Sequence, residues 1–482
     1  MILRIYGHDF HYECENLCRV FFPNEKINIV YDDSGEDELT VVTKYEEGTV
    51  SADVTVNGES RSLRKETDDE SAELNLAKLI FAALSDLTGY TPPWGVLTGV
   101  RPSKLMLRLI ADMGEEGARD YFEKGLLVSE QKTKLAMTVA AAEDKIVSSS
   151  KPESFSLYVS IPFCPSRCSY CSFVSHSIAN SNAKKLFPEY LEKLAEEIEL
   201  TGKTARENGL RLESIYFGGG TPGVLEASQL DMLQCAIERY FDLSSIREYT
   251  VEIGRPDTVT AEKLAMLKLH KVDRISINPQ TFNQETLDLI GRKHSVEQAI
   301  NAFRLAKGYG FKCINMDLIA GLPGEDFGIF RDSLDTAVML SPENITVHTL
   351  ALKRSSTLNY EGTQVSAGNE AKKMLDYSYQ KLIQSGYSPY YMYRQSKCVG
   401  NLENVGWCKP GTEGLYNVFM MEECHTVLAV GAGGVTKLCQ PGGTNVERIF
   451  NYKYPYEYIS GFDVITSRKD GVTEFYSRNG VK

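Results

Sequence analysis

From Ile2 to Gly58, short apolar runs alternate with turn-forming residues. The runs are ILRIYG, INIVYDD, LTVVTKY and SADVTVNG. Apolar and polar positions alternate with a period of two, which predicts a small antiparallel sheet. From Ser71 to Lys145 the period lengthens to that of helices, as in LAKLIFAALSDL and QKTKLAMTVAAAEDKI. Between these lies TPPWGVLTGVRP, whose Pro and Gly predict an irregular link. The polar stretch SSSKPESFS, Ser148 to Ser156, reads as a domain boundary.

Beyond Leu157 apolar runs alternate with helical segments. The runs LYVSI, LESIYF, YTVEI, DRISI, CINMDLI and NITVHTL are separated by helices such as KLFPEYLEKLAEEIELTGKTA, SQLDMLQCAIERYF and AEKLAMLKL. Six strand–helix units in succession predict a parallel sheet with right-handed crossovers. No dinucleotide fingerprint follows the first strand, so an open, partial (β/α)6 TIM-like barrel fits better than a two-sided sheet. Chemistry then belongs at the C-terminal ends of the strands. After Leu358 the chain turns rich in Tyr and Gly, with a helix near Ala371 to Ser385 and then SPYYMYRQSKCVGNLENVGW. The expected class is therefore α/β: an α+β N-terminal domain over 1–150, the barrel over 151–360, and a C-terminal elaboration over 361–482 that covers the barrel mouth.

Composition narrows the function. Of the 482 residues, 42% are hydrophobic and 24% charged, which is ordinary for a globular chain. No apolar run reaches about 18 residues, so no membrane span is expected. The N-terminus lacks a basic stretch, apolar core and cleavage site, which points away from a leader and toward the cytoplasm. A net charge of −13 opposes nucleic-acid binding. An anionic substrate would need a locally basic pocket. Eleven cysteines, an odd number with no leader, predict reduced thiols, some of them metal-bound. Cys235 and Cys313 fall in apolar periodic segments and read as core fillers. Cys14, Cys18, Cys398, Cys408, Cys424 and Cys439 show no tight ligand spacing.

The exception is Cys164-Pro-Ser-Arg-Cys168-Ser-Tyr-Cys171, directly after the first barrel strand. Three thiolates in one C-x3-C-x2-C loop can grip a [4Fe–4S] cluster and leave one iron open, as a catalytic site requires. An open iron can take the amino and carboxylate groups of S-adenosylmethionine (SAM). Zinc is the competing metal, with His176, five residues past Cys171, as its fourth ligand.

At these residues the chain resembles the radical SAM superfamily, and within it the oxygen-independent coproporphyrinogen oxidase group. The matching stretches are YVSIPFCPSRCSYCSF (Tyr158 to Phe173), YFGGGTP (Tyr216 to Pro222), VEIGRPDT (Val251 to Thr258), RISINPQTFNQETLDLIGRKH (Arg274 to His294) and MDLIAGLPGE (Met316 to Glu325). They stand in family order over roughly 157–360. The long N-terminal region, TPPWGVLTGVRP and YRQSKCVGNLENVGW look like the HemZ-type branch, the coproporphyrinogen dehydrogenases.

The resemblance implies roles residue by residue. Cys164, Cys168 and Cys171 would ligate the cluster. Tyr158 would contact SAM or pack within the barrel, and Tyr170 would cover the cluster or touch a SAM. Gly218, Gly219, Gly220 and Thr221 would hold the methionine part of SAM, because glycines admit a ligand and exposed amides bind a carboxylate. Glu252 would be a SAM ligand, or half of a buried ion pair. Gln280, Arg292 and Asp317 match positions that contact a second SAM, and Ala351 a further cofactor contact. Val435, in VGAGGVTK, would line the site. The Gly431 to Gly434 run is not a nucleotide loop.

The activity implied is radical decarboxylation. A SAM-derived 5′-deoxyadenosyl radical takes hydrogen from the β-carbon of a propionate, and loss of CO2 and an electron leaves a vinyl group. A reductase or a flavodoxin- or ferredoxin-type donor would supply electrons. The tetrapyrrole's carboxylates call for cations, with Arg167, Lys353, Arg354, Arg394 and Lys397 as candidates. Tyr390, Tyr391 and Tyr393 would cover the macrocycle or pack a domain interface. A haem chaperone is the rival from another class. Phe173 favours it, standing where the oxidase has a further cysteine. The stretch Tyr416 to Met421 opposes it, lacking the histidine of the chaperones' His-Asn-x-x-Tyr-Trp motif. A third reading is radical chemistry on another tetrapyrrole.

Overall fold

The computed structural model describes residues 1–23, 25–35, 37–171, 175–351, 368–395 and 398–480. Lys353, Arg354, Lys397 and Phe173 lie outside them. The chain forms two compact units rather than three consecutive domains. One comprises Met1–Ala141, Ser366–Lys373 and Met392–Asn404; the other comprises Ala142–Val365, Met374–Tyr391 and Val405–Lys482. Among the described residues no helix is long and apolar enough to cross a membrane.

The first unit opens with β1 (Ile2–Tyr6), α1 (His11–Phe21), β2 (Asn28–Val30), β3 (Leu39–Glu46), β4 (Thr49–Val56) and β5 (Glu59–Glu66). The expectation of a purely antiparallel sheet fails here. β1 runs parallel to both β2 and β3, and only β3, β4 and β5 are antiparallel. Helix α1 carries the chain back to the starting edge, so the returning strands align with β1. Strand β5 reads ESRSLRKE and is almost wholly exposed. It is an edge strand whose side chains make polar contacts, Arg61 with Asp86 and Lys65 with Asn75, so no apolar alternation marks it.

Helix α2 (Asp69–Thr88) buries Leu76, Ile80, Phe81 and Leu84. The Asp68 carboxylate caps it by accepting from Ser71 N at 2.8 Å, and Gly89 ends it in the left-handed region. Helices α3 (Pro102–Asp120) and α4 (Glu130–Val147) follow. In this unit's core Lys132 Nζ meets Glu403 Oε1 at 2.6 Å, and Trp94 Nε1 donates to Glu403 Oε2 at 2.7 Å. Arg394 is buried in the same unit. It donates to the carbonyls of Leu97, Gly99 and Asn401 and lies over the Trp94 ring. Its guanidinium is engaged by backbone, which removes it from the candidate substrate cations.

The second unit is built on β6 (Ser154–Ile161), β7 (Phe163–Cys164), β8 (His176–Ser177), α5 (Ser181–Glu207), β9 (Arg211–Gly219), α6 (Ala227–Tyr240), β10 (Glu248–Gly254), α7 (Ala261–Leu269), β11 (Arg274–Ile277), α8 (Gln284–Leu289), α9 (Val296–Gly308), β12 (Cys313–Ala320), α10 (Phe327–Leu340) and β13 (Asn344–Thr349). Strands β6, β9, β10, β11, β12 and β13 are parallel neighbours in that order, as the six apolar runs predict. After α11 (Gly368–Gln384) come β14 (Ser388–Arg394), β15 (Glu403–Cys408), α12 (Leu415–Glu422), β16 (Thr426–Val430), β17 (Val435–Cys439) and β18 (Val446–Phe450), then α13 (Pro455–Ser460), α14 (Phe462–Arg468) and α15 (Asp470–Asn479).

Most of the C-terminal segment belongs to the barrel's own unit. β15 lies antiparallel beside β13, and β16 lies parallel beside β6. An open six-stranded sheet leaves two edges of unpaired backbone, and the tail pairs with both. A buried cluster fastens it further. Glu197 on α5 meets Lys469 Nζ at 2.8 Å, accepts from Tyr458 Oη at 2.7 Å and accepts from Gly431 N at 2.7 Å. That satisfies a carboxylate with no exposure to water.

Candidate active site

Cys164 ends β7, whose pairing with β8 sets Phe163 opposite His176 and Cys164 opposite Ser177. The loop between these strands carries Cys168 and Cys171, which are joined in a turn by Cys171 N donating to Cys168 O at 3.2 Å. All three thiols are half-buried. Burial pushes the Cys164 thiol up, and Thr221 Oγ1, donating to its sulfur at 3.4 Å, pulls the other way. Arg255, from the loop after β10, donates from Nη1 to Cys168 Sγ at 3.6 Å and to Ser166 Oγ at 3.1 Å. Its Nε–H is held by Asp257 at 2.9 Å.

The thiols do not gather around one point. Among the described residues, the one group of three or more His, Cys, Asp or Glu donors within 4.8 Å of one another is Asp231, Cys235 and His270. Tetrahedral zinc, with Zn–S near 2.3 Å, would hold its sulfurs about 3.8 Å apart. A [4Fe–4S] cluster instead spreads its thiolates over separate irons. The His176 ring packs against Phe163 and Tyr454.

The barrel strands are buried almost throughout. The exceptions in their inner rows are Tyr158, Tyr216, Glu252, Asn315, Asp317 and His348. These form a continuous polar wall. Tyr158 stacks on Tyr216 at 6.3 Å, and Tyr216 Oη donates to Glu252 Oε1. Asp317 accepts from Asn315 Nδ2 at 2.7 Å and faces His348 Nε2 at 3.7 Å. Burial lifts the Glu252 carboxyl to about 7; the Tyr216 hydroxyl lowers it and the Asp317 charge adds to the rise. Burial also pushes Asp317 up, but His348, Asn315 and Thr346 outweigh it and hold that carboxyl below its ordinary value. The two acids are thus driven apart.

Gly218 faces this wall. A Cβ there would stand 2.9 Å from the Tyr216 ring, 3.2 Å from Tyr158 and 3.3 Å from Glu252 Oε2. Gly219 has φ of +105°. The next two amides are already engaged, since Gly220 N donates to Ile161 O and Thr221 N to Phe163 O, both at 2.8 Å. A Cβ on Gly220 would strike Phe163 O at 2.5 Å. Gly220 and Thr221 therefore buttress the cysteine-bearing segment. Their amides are not open to a carboxylate, contrary to the expectation for the loop.

Gln280 holds a left-handed φ of +70°, locked by its N–H to Asp317 O at 2.9 Å and by Ile319 N to its own carbonyl at 3.0 Å. Its Oε1 and the nearby Asn278 Oδ1 are buried without a hydrogen-bond partner among the described residues. Such buried atoms at strand ends can accept from a polar ligand or from water. Arg292 donates to Asn278 O at 2.6 Å and to Tyr170 Oη at 3.3 Å. Tyr170 thereby ties the cysteine loop to the segment after α8. Ala351 follows β13 and is half-buried. Val435 opens β17, with β16 between it and β6, and pairs with Phe450. The loop ahead of it reaches Ser160, whose Oγ donates to Ala432 O at 2.8 Å. Arg167 is exposed in the cysteine loop, and Tyr390 and Tyr391 are buried.

Sequence reasoning missed Arg255, Asn278 and His348, and it gave Tyr416 no part in the site. Arg255 stood inside the quoted VEIGRPDT, and a charge just past a buried strand was its only signal. Tyr416, on α12, stacks on Tyr216 at 4.3 Å. Its neighbours in space lie 200 residues away in the chain, so no local pattern marks it.

A model of the radical SAM superfamily matches residues 158–337. The oxygen-independent coproporphyrinogen-III oxidase-like protein HemZ of Bacillus subtilis is 35% identical, over 97% of this chain and 97% of that one. The haem chaperone HemW of Haemophilus influenzae is 29% identical over 64% of this chain and 76% of its own. Among solved structures, coproporphyrinogen III oxidase (HemN) from Escherichia coli shares the fold, with a TM-score of 0.53 and 22% identity over 68% of this chain and 73% of that one. By its end-to-end likeness to HemZ and the superfamily match over the cysteine loop and the polar wall, this chain belongs to the radical SAM superfamily, in the HemZ-like branch of its oxygen-independent coproporphyrinogen oxidase group, whose cofactors are a [4Fe–4S] cluster and SAM.

Proposed function

We propose that this chain converts propionate side chains of coproporphyrinogen III to vinyl groups without oxygen, giving protoporphyrinogen IX. The observation that carries the reading is the end-to-end likeness to an oxidase-like relative. The net change at each propionate is CH2CH2COO⁻ to CH=CH2 and CO2, with one hydrogen atom taken up by the SAM-derived radical and one electron passed to a one-electron acceptor. Bound in this site, the cluster and SAM supply a 5′-deoxyadenosyl radical able to take hydrogen from an unactivated carbon.

The chain's own residues hold and shield. Cys164, Cys168 and Cys171 are the cluster ligands in this reading, with Thr221 and Arg255 donating to two of the sulfurs. Glu252, ionised, would pair with the SAM ammonium, and Tyr216 orients that carboxylate. Asn278, Gln280, Asp317 and Arg292 offer polar groups to SAM, one molecule or two. Tyr158, Tyr216 and Tyr416 form an aromatic bank that keeps water from the reacting carbon. A flavodoxin- or ferredoxin-type protein or a reductase delivers electrons.

Haem transfer without turnover is the second reading, favoured by the likeness to HemW over about two thirds of the chain. Against it, Tyr416 to Met421 carries no histidine, and Tyr416 packs on Tyr216. Anaerobic incubation of the reconstituted protein with SAM, reductant and coproporphyrinogen III decides between them. Protoporphyrinogen IX with CO2 is expected. Tight haem binding with no CO2 would overturn the proposal.

A further inference from the structure

Cys235 is not the core filler that its apolar setting predicts. It is exposed on α6, one turn beyond Asp231 and nearly one turn before Glu238. His270, just past α7, is 5% exposed and faces the same patch. Its Nε2 lies 2.9 Å from Asp231 Oδ1 and its Nδ1 lies 2.8 Å from Glu238 Oε1. Cys235 Sγ stands 3.7 Å from Asp231 Oδ1. The donor atoms of Asp231, Cys235 and His270 all lie within 4.8 Å of one another.

We propose that Asp231, Cys235 and His270 form a zinc site linking α6 to α7, separate from the cluster loop and the strand ends. Tetrahedral zinc holds such donors about 3.3–3.8 Å apart, so small side-chain shifts that open the 2.9 Å His270–Asp231 contact complete the set, with water in the fourth position. One thiolate and one imidazole favour zinc over magnesium or calcium. With zinc on Nε2, the Nδ1–H would donate to Glu238 Oε1, which lies 2.8 Å away. That is the carboxylate–histidine–metal arrangement which fixes the tautomer and ring orientation at metal sites. The exposed thiol gives the ion a path from solvent.

The test uses the anaerobic protein with its cluster loaded, so the loop cysteines are occupied. Parent, Cys235→Ser and His270→Gln are dialysed against zinc sulfate with a weak chelator, and zinc and iron are counted. About one zinc per chain in the parent, lost from both variants at unchanged iron, is expected. Equal zinc in parent and Cys235→Ser would overturn the site. Because Cys235 is exposed, its replacement leaves the core intact. A second reading follows iodoacetamide labelling of Cys235 by peptide mass spectrometry. Zinc should slow labelling in the parent at least about tenfold by occupying the thiolate. A labelling rate indifferent to zinc would also reject it.

Discussion

Arg255 donates from Nη1 to Cys168 Sγ at 3.6 Å while Asp257 grips the same guanidinium at Nε. A clamped cation at a cluster sulfur favours the more negative, reduced state. Arg255→Gln should therefore lower the cluster's reduction potential by on the order of 50 mV, about 1 kcal/mol for one electron. Arg255→Lys should keep part of the difference. A redox titration followed by electron paramagnetic resonance reads it, and an unchanged potential in Arg255→Gln would refute the contact's effect.

Glu252 sets a pH dependence. Its folded-state value of about 7 lies above the ordinary 4.5 of a glutamic acid. The contribution to stability is thus complete below about 4.5 and is lost as pH rises to about 7, at most about 3 kcal/mol. In the proposed function SAM pairs with the charged form, so its binding should weaken about tenfold per pH unit below about 7. The titratable groups facing Glu252 are Tyr158, Tyr216, Tyr416, Asp317 and His348. Glu252→Gln should flatten both profiles. Calorimetry of SAM binding between pH 5.5 and 8, as an about tenfold-per-unit slope or its absence, checks this.

In the first unit, Lys132 and Glu403 are buried together, with Trp94 on the other carboxylate oxygen. Removing one partner strands a charge. Lys132→Met should cost about 3–5 kcal/mol in urea unfolding. Adding Glu403→Gln should recover much of that loss, because the stranded charge is gone. A double variant no more stable than Lys132→Met would contradict the pairing.

What could be read from the chain follows from range. The six barrel strands were legible because parallel strands covered on both faces must be apolar runs, and the cysteine motif because its three donors share one loop. Strand β5 was hidden by its polar faces, and the parallel course of β1 by pairing that depends on where α1 returns the chain. Arg255 reaches Cys168 across 87 positions, and His270 reaches Asp231 across 39. Neither contact leaves a trace in local spacing. Gly220 and Thr221 were visible as a glycine-rich loop, but which atom their amides face is set by packing of β6 against β9.

The central claim is that three loop thiols hold a cluster. Anaerobically purified, reconstituted protein should contain about four iron and four sulfide per chain, with absorption near about 400 nm that Cys168→Ala loses. Stoichiometric zinc on the loop cysteines, or iron and sulfide unchanged in Cys168→Ala, would contradict it.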